Sequence, residues 1–337
     1  MQIVYLSARP ELLAETLDHV RHFAPFIDDV VIVAPDRMAG RFADLGTVLT
    51  DEALTGRSAV ELKSMAHTSR NYLLRTSMVN NAAVADRFIM SDDDARPLVP
   101  IEPSTFLAND GRYRRRWFHT MGAWRRSNTE YDESLLHTWV ILRQLGFENP
   151  IAFSSHMPQL IDKAMYAEVA ERMSPYAETY ALDEWSTYFN LAPSLHPERF
   201  GDPEPFLTLG WPQYPGEWPH QITPTRHVFE NHHPELHDAG GLYDGLASGC
   251  DPATIDATNL EKIMRWQRLD ISVRDLEFPD DVEQPWTSPS SGRKMAFKGL
   301  KAARSAYRYV NLDERARIAE LEGRIHQLET QHDLRDS

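Results

Sequence analysis

Cysteine is nearly absent from this sequence of 337 residues, because Cys250 is the only one. One cysteine excludes an intrachain disulfide and a zinc site built on cysteines, and it is typical of a reducing compartment. Long apolar runs are also missing: the stretch from Ser134 to Leu145 contains His137 and Arg143. No run approaches the roughly 18–20 residues of a membrane-spanning helix. We therefore expect neither a disulfide scaffold nor a transmembrane helix.

Basic residues are outnumbered, with 35 Lys and Arg against 50 Asp and Glu, a net charge of −15. This charge disfavours nucleic acid as a partner of the whole chain. The first residues lack a charged segment followed by an apolar one, so we expect no signal peptide and a cytoplasmic location. The sequence also lacks a Walker motif, a Gly-x-Gly-x-x-Gly turn and a Gly-x-Ser-x-Gly elbow. Nucleotide binding of those types and hydrolysis by a serine elbow are not indicated.

What is present first is an alternation of strand and helix patterns over residues 1–100. Gln2–Leu6, Asp29–Ala34 and Arg87–Ser91 are short apolar runs typical of buried strands. An amphipathic helix that stops at Pro25 and a helical segment over Glu61–Val84 separate them. The pattern predicts an α/β fold with a Rossmann-like, mostly parallel sheet. Ligands of such sheets bind beyond the carboxyl ends of the strands.

The rest of the chain is predicted to be less regular. Residues 100–285 are expected to form an irregular, partly helical half with helices over Tyr131–Gly146 and Pro158–Met173, which completes one catalytic domain over 1–285. Residues 279–292 have linker composition. Residues 293–310 carry six basic residues and no acidic one. This basic segment suits either contact with anionic lipid at the inner face of the membrane or docking on the acidic domain. Two heptads within 312–332 favour weak self-association, so the tail over 293–332 is expected to be helical.

The sharpest local feature is an acidic triplet, Asp92, Asp93 and Asp94, that follows the third predicted strand. Three adjacent carboxylates repel one another, and a divalent cation such as Mg²⁺ or Mn²⁺ removes that cost. Residues alternate on an extended chain, so Asp92 and Asp94 are predicted to point one way and to bind the metal. The alternative is a solvated acidic turn or a helix cap.

Two segments around this triplet resemble the Stealth family, which comprises bacterial capsule polymerases and lysosomal-enzyme N-acetylglucosamine-1-phosphotransferases. The first is the strand end Asp86-Arg-Phe-Ile-Met-Ser-Asp-Asp-Asp94. The second is His156-Met-Pro-Gln-Leu-Ile-Asp162, which matches a family block that opens His-Met-Pro-x-x-Ile-Asp. The helix and strand over Leu17–Val33 also match. The resemblance implies a GT-A-like fold, a nucleotide-sugar donor, a carbohydrate acceptor and transfer of hexose-1-phosphate to a sugar hydroxyl in a cell-envelope or capsular glycan.

The resemblance also suggests site residues. His156 would stabilise a phosphate or a leaving group from the start of a helix at Met157, and Asp93 or Asp251 would act as base. Ser69 and Arg70 occupy the place of a family motif that contacts the donor.

A family arginine falls instead near Ser186, and no arginine lies between Arg172 and Arg199. That difference favours an ordinary GT-A glycosyltransferase that releases a nucleoside diphosphate. A non-catalytic carbohydrate-binding or scaffold protein is the more distant alternative.

Two further clusters remain open. Arg114, Arg115 and Arg116, with neighbouring arginines and aromatics, form a clamp for the donor diphosphate, a groove for an anionic acceptor or a solvated basic loop. The histidines between His227 and His237 are interpreted as surface residues near the acceptor rather than as zinc ligands, because Pro234 interrupts their helical spacing.

Overall fold

A computed structural model of the chain describes residues 1–123, 129–154, 156–209, 227–239, 241–251 and 253–277. Its first half contains β1 (Gln2–Leu6), α1 (Pro10–Phe23), β2 (Asp29–Ala34), β3 (Thr47–Thr50), α2 (Asp51–Thr55), α3 (Ala59–Ser64), α4 (His67–Met78), β4 (Arg87–Asp92) and β5 (Ala95–Pro97). Its second half contains β6 (Tyr113–Trp117), β7 (His119–Thr120), α5 (Glu130–Gln144), β8 (Ile151–Ala152), β9 (Gln159–Asp162), α6 (Lys163–Ala177), α7 (Glu184–Leu195), β10 (Phe200–Pro205), β11 (Phe229–Asn231) and α8 (Ile255–Glu277).

The central sheet has five strands in the order β3-β2-β1-β4-β9. Strands β1 to β4 are parallel, and β9 closes one edge antiparallel to β4. The mostly parallel α/β class predicted from the alternation is therefore confirmed. Ile3, Val4 and Tyr5 of β1 are all fully buried, because helices and loops cover both faces of the sheet. Burial on both faces explains why the central strands are continuous apolar runs rather than alternating ones.

The predicted strands agree closely with the observed ones, but two helical predictions do not. The segment predicted as one helix over Glu61–Val84 is split, because Met65 and Ala66 adopt extended backbone angles between α3 and α4. The segment predicted as a helix from Pro158 begins instead with strand β9. Helix α6 starts only at Lys163, after Asp162 caps it by accepting hydrogen bonds from two backbone N–H groups of the first turn. Edge pairing with β4 outweighs the local helical preference there.

The core lies between the central sheet and its helices, and a smaller apolar cluster lies under α8. Leu98, Leu209, Tyr243 and Trp266 form this second cluster. Strand β5, which follows the acidic triplet directly, pairs antiparallel with β11. Helix α8 and β11 therefore pack close to the carboxyl end of β4. In the described part of the chain, no helix has both the length and the apolar composition that a membrane crossing needs.

Candidate active site

The acidic triplet lies where the central sheet changes direction. The strands progress from β1 through β2 to β3 on one side of β1, whereas β4 lies on its other side. Open α/β sheets bind ligands at such a point, outside the carboxyl ends of the strands. Ser7 and Arg9 follow β1 there, and Asp92 ends β4. The chain therefore places this charge cluster where a ligand crevice is expected.

Arg9 holds the second and third carboxylates of the triplet together. Its Nε donates to Asp93 Oδ2 at 3.1 Å, and its Nη2 donates to both Asp93 Oδ1 and Asp94 Oδ2, the latter at 3.0 Å. Ser7 Oγ adds a hydrogen bond of 2.6 Å to Asp93 Oδ2, and Asn231 Nδ2 donates to Asp94 Oδ1 at 2.7 Å. Burial still raises the pKa of Asp93, against the lowering effect of Arg9 and Ser7.

Asp92 is paired separately, with Arg75 and His156. Arg75 Nη2 donates to Asp92 Oδ1 at 2.7 Å, and His156 Nδ1 lies 3.6 Å from Asp92 Oδ2. Burial acts to raise the pKa of Asp92, but the hydrogen bond to His156 and the charges of Arg75, His156 and Arg9 lower it to about 2. Asp92 is therefore an ionised partner for Arg75 and His156 rather than a base near neutral pH.

The predicted alternation of the triplet is wrong. Asp93 and Asp94 share Arg9, and Asp92 is the carboxylate that points elsewhere. The physical reason is that β4 ends at Asp92 and the next two residues form a turn, so the two-residue period of a strand no longer applies.

His156 lies opposite the end of β4 because of strand register. In the β4–β9 pair, Met90 faces Gln159 and Ile89 faces Leu160, so the chain just before β9 reaches the acidic triplet. His156 has a φ of 48°, in the left-handed region that is uncommon for residues other than glycine. Its predicted place at a helix start is wrong, since β9 follows it. Burial lowers the pKa of His156, but Asp92, through its hydrogen bond and its charge, raises it. The charges of Asp94 and Asp183 act in the same direction, and the pKa of His156 lies above its ordinary value.

Behind Asp92 lies a buried pair that the sequence analysis did not find. The Arg75 side chain is 2% exposed and its Nε donates to Glu184 Oε1 at 3.0 Å. Its guanidinium also stacks on the Trp185 ring, 5.0 Å from the centroid. Burial raises the pKa of Glu184 to about 7, against the lowering effect of Arg75. A carboxyl group with a pKa near neutrality can exchange protons at working pH.

The start of α7 is built by side chains around Glu184. Asp183 Oδ1 accepts a hydrogen bond from Ser186 N at 2.7 Å and caps the helix, while Ser154 Oγ donates to Asp183 Oδ2. Ser186 itself is fully buried and accepts a hydrogen bond from Phe153 N at 3.0 Å. The position where the family arginine falls is thus a structural serine, and the nearby arginine comes from α4.

Ser69 and Arg70, the two residues predicted to bind the donor, point to different sides of α4. Arg70 Nη2 is 3.0 Å from the Nδ1 of His67, which lies one helical turn before it. Ser69 is two residues from His67, about 200° around the helix, and therefore lies on another face. Ser69 and Arg70 therefore lie on different faces of α4, and the contact of either residue with the donor stays a prediction.

The basic strand β6 is held by protein groups. Arg114 and Arg116 both pair with Glu204 of β10, at 2.6 and 2.7 Å, and Arg115 donates to the carbonyl oxygens of Gly201 and Phe189. These contacts favour a structural role in joining β6 to β10. The neighbouring Trp124, Arg125 and Arg126 lie outside the described residues.

Asp251 and the histidine cluster also have structural partners. Asp251 accepts hydrogen bonds from Ala253 N and Thr254 Oγ1, just before α8 begins. His227 and His232 are buried, so their interpretation as surface residues is wrong. His232 Nδ1 is 2.6 Å from Arg96 Nη2, within a buried charge network. The sequence could not show this burial, because it depends on the pairing of β11 with β5.

Whether the triplet can bind a metal ion depends on where its carboxylate oxygens are directed. Carboxylate oxygens suit Mg²⁺ or Mn²⁺, but those of Asp92 and Asp94 are directed to different arginines. Among the residues that the structure describes, no three His, Cys, Asp or Glu side chains come together in a way that could hold a metal ion. The arrangement therefore does not fit a bound metal.

The predicted linker over 279–292 and the tail over 293–332 lie outside the described residues.

Several solved structures resemble this chain at low identity. They include a galactosyltransferase, LgtC, in complex with donor and acceptor sugar analogues (13% identity, TM-score 0.37, 57% of this chain and 70% of that chain). An active-site mutant of LgtC matches similarly (13%, 0.36, 56% and 69%), as does mouse xyloside xylosyltransferase 1 in its apo form (11%, 0.41, 69% and 97%). No family model and no curated protein matches the sequence, so membership of the Stealth family is not confirmed.

A weak sequence signal existed for some of the residues that were missed. Arg75 follows Asn71 by one helical turn, and the Leu182-Asp183-Glu184 sequence before Ser186 resembles a helix start. Ser7, Arg9 and Asn231 carry no motif of their own. Only the strand order brings them to the triplet.

Proposed function

We propose that this chain is a nucleotide-sugar transferase of the GT-A type whose donor diphosphate binds at the carboxyl ends of β1 and β4. The observation that carries the proposal is the cluster of Arg9, Arg75 and His156 against the acidic triplet at the switch point of the sheet. Arginine and histidine are donors suited to phosphate oxygens. The carboxylates fix the cations in place, since each is a direct partner of at least one of them.

His156 is the candidate group for proton transfer at the donor. Its partner Asp92 raises the pKa of the imidazole and fixes the Nδ1 side of the ring. A protonated imidazole beside a diphosphate can neutralise or protonate the leaving phosphate oxygen. Asp93, predicted as a base, is held by Ser7 and Arg9, and this geometry favours a positioning role for it.

The finer proposal concerns which bond is broken. In hexose-1-phosphate transfer, an acceptor oxygen attacks the sugar-bearing phosphorus, the pyrophosphate bond breaks and a nucleoside monophosphate leaves. In glycosyl transfer, the acceptor oxygen attacks the anomeric carbon and a nucleoside diphosphate leaves. The acceptor hydroxyl loses its proton in both cases. The resemblance supports the first reaction, in a cell-envelope or capsular glycan. The structural serine at Ser186, where the family arginine falls, favours the second.

The test is a donor panel with analysis of the released nucleotide. The full chain is incubated with UDP-, GDP-, ADP- and dTDP-sugars and a mixture of sugar acceptors, and nucleotides are separated by ion-exchange chromatography. We expect one donor to be turned over and Asp92→Asn to reduce turnover at least tenfold, while Asp110→Asn, an exposed carboxylate of another loop, leaves it unchanged. Turnover that is equal in Asp92→Asn and the wild type contradicts the proposed site. No turnover and no nucleotide binding favour the carbohydrate-binding alternative.

A further inference from the structure

Five of the six carboxylate oxygens of the acidic triplet accept hydrogen bonds within the protein, and the sixth, Asp92 Oδ2, lies 3.6 Å from His156 Nδ1. Asp92 uses Arg75 for Oδ1 and faces His156 with Oδ2. Both oxygens of Asp93 accept from Arg9, and one also accepts from Ser7. The donors to the two oxygens of Asp94 are Asn231 and Arg9. A divalent ion needs several of these oxygens free and converging, so it would have to displace Arg9 first.

Burial places the positive charge of Arg9 on the outside of the cluster. The Arg9 side chain is 52% exposed, whereas the side chains of Asp93 and Asp94 are 6% and 10% exposed. A ligand that approaches the end of β1 therefore meets a guanidinium, and the two carboxylates lie behind it. Nη1 of Arg9 makes no hydrogen bond to the residues that the structure describes, which leaves N–H groups for an incoming anion.

Arg75 also pairs with carboxylates through two of its three guanidinium nitrogens, but its side chain is buried. Its Nε and Nη2 are used by Glu184 and Asp92, and its Nη1 is buried with no hydrogen-bond partner in the described part of the chain. A buried guanidinium N–H without a partner is costly and is expected to be satisfied by a ligand or by water. Each arginine thus pairs with acidic groups through its Nε and Nη2. Its Nη1 makes no hydrogen bond to the residues that the structure describes.

From this geometry we infer that Arg9 is the resident cation of the acidic triplet. It takes the place that a divalent metal would occupy and presents its free N–H groups to the phosphates of the donor, while Arg75 holds Asp92 behind it. The second half of this inference rests on the proposed function, and the first half does not. The predicted use of Asp92 and Asp94 as metal ligands is replaced by an arginine-neutralised site.

Binding of Mn²⁺ alone tests the first half without any donor. The chelator-treated full chain is titrated with Mn²⁺, and free ion is followed by electron paramagnetic resonance. We expect no binding by the wild type below about 1 mM, because the attraction of the carboxylates is already used by Arg9. Arg9→Met uncovers two carboxylates and should bind Mn²⁺ at least tenfold more tightly, and adding Asp94→Asn should remove that gain. Arg21→Met, which removes an exposed arginine of α1, is the matched control.

Two results would overturn the inference. One is sub-millimolar Mn²⁺ binding by the wild type that Asp94→Asn abolishes. The other is a folded Arg9→Met protein, checked by circular dichroism, that gains no affinity for Mn²⁺. If Arg9→Met fails to fold, Arg9→Lys serves instead, because it keeps the charge but cannot bridge two carboxylates, and a smaller gain in Mn²⁺ affinity is expected.

Nucleotide binding in excess EDTA tests the second half. Calorimetry with UDP, GDP, ADP and CDP should show one ligand whose affinity is unchanged by EDTA and falls at least tenfold in Arg9→Met. An affinity that EDTA abolishes contradicts the role of Arg9 toward phosphate. Absence of binding by all four nucleotides counts against the proposed donor and so against this half, whereas the Mn²⁺ titration still decides what neutralises the triplet.

Discussion

At the scale of the residue, Arg75 determines whether the half-buried Asp92 and the buried Glu184 can lie close together. It lies between Asp92 and Glu184 with both at hydrogen-bond distance, and it is almost fully buried. Removing one partner of such a network leaves charges without compensation, which costs more than the network contributes relative to an apolar core.

We therefore predict that Arg75→Met destabilises the fold by about 3–5 kcal/mol, the usual cost of breaking a buried ion pair. Urea unfolding followed by tryptophan fluorescence measures the change. Arg21→Met, at an exposed arginine that pairs with Asp18, should change stability by less than about 1 kcal/mol. A loss of under 1 kcal/mol in Arg75→Met would show that the carboxylates find other partners.

A second residue-scale prediction concerns Glu184 and pH. Its pKa in the folded chain is about 7, against an ordinary value of 4.5, because of burial. The folded state therefore binds more protons than the unfolded state between these two values, so this group lowers stability as pH rises from 4.5 to 7. Glu184→Gln should remove a pH-dependent change of up to about 3 kcal/mol in the free energy of unfolding, which is the size that the pKa shift of Glu184 implies.

The measurement is the difference in unfolding free energy between wild type and Glu184→Gln from pH 4.5 to 8. We expect the free energy of unfolding of the variant to increase relative to that of the wild type as pH rises to 7. Above pH 7 the difference should stay constant. His156 contributes in the same direction, because its raised pKa gives stability that is present below 6.5 and lost as pH rises further. A pH-independent difference would mean that Glu184 stays ionised throughout.

At the scale of the element, strand β9 and helix α6 give the two ends of one sequence motif different surroundings. Asp162 ends the His156–Asp162 segment and accepts hydrogen bonds from Ala164 N, Met165 N and the Tyr113 hydroxyl. Its role is to cap α6 and fasten β6. His156, at the other end of the segment, faces the acidic triplet.

Asp162→Ala should accordingly destabilise the fold by about 1–2 kcal/mol, the cost of a lost helix cap. Asp162→Asn should recover most of that loss, since asparagine also caps helices. Chemical denaturation gives the stability, and nucleotide affinity should change less than threefold in either variant. A large loss of affinity with unchanged stability would instead place Asp162 in the site.

Strand β9, at the edge of the sheet, is an element that local sequence patterns did not predict. The buried strands β1, β2 and β4 are continuous apolar runs, so their existence follows from composition along the chain. Strand β9 is short and precedes a helix, and its pairing with β4 spans more than seventy residues of sequence. Local preference could not distinguish its first residues from the first turn of α6.

At the scale of the whole molecule, a buried charge network joins the sheet to α8. Glu230 Oε1 accepts hydrogen bonds from Arg96 Nε at 2.7 Å and from Lys262 Nζ at 2.9 Å, and all three side chains are buried. Burial acts to raise the pKa of Glu230, but Lys262, Arg96 and His232 hold it well below its ordinary range. The next residue in β11, Asn231, binds Asp94. The network therefore connects the docking of α8 to the geometry of the triplet.

Glu230→Gln should destabilise the fold by about 3 kcal/mol or more, because it leaves two buried cations without their shared anion. It should also weaken nucleotide binding, since β11 then no longer holds Asn231 against Asp94. Thermal unfolding and calorimetry measure the two effects, with Glu171→Gln on the exposed face of α6 as the matched control. Stability equal to the wild type would assign the compensation to Glu15, which lies 3.7 Å from Arg96.

The sequence by itself determined the parallel α/β core and the end of β4 at an acidic triplet, because each depends on a contiguous pattern. Only the tertiary structure decided what neutralises the triplet. Arg9, Arg75 and Asn231 lie 85, 17 and 137 positions from their aspartate partners, and they meet because parallel strands bring their carboxyl ends to one edge while β5 pairs with β11. Charge compensation in a folded chain depends on distance in space, which no local pattern of residues contains.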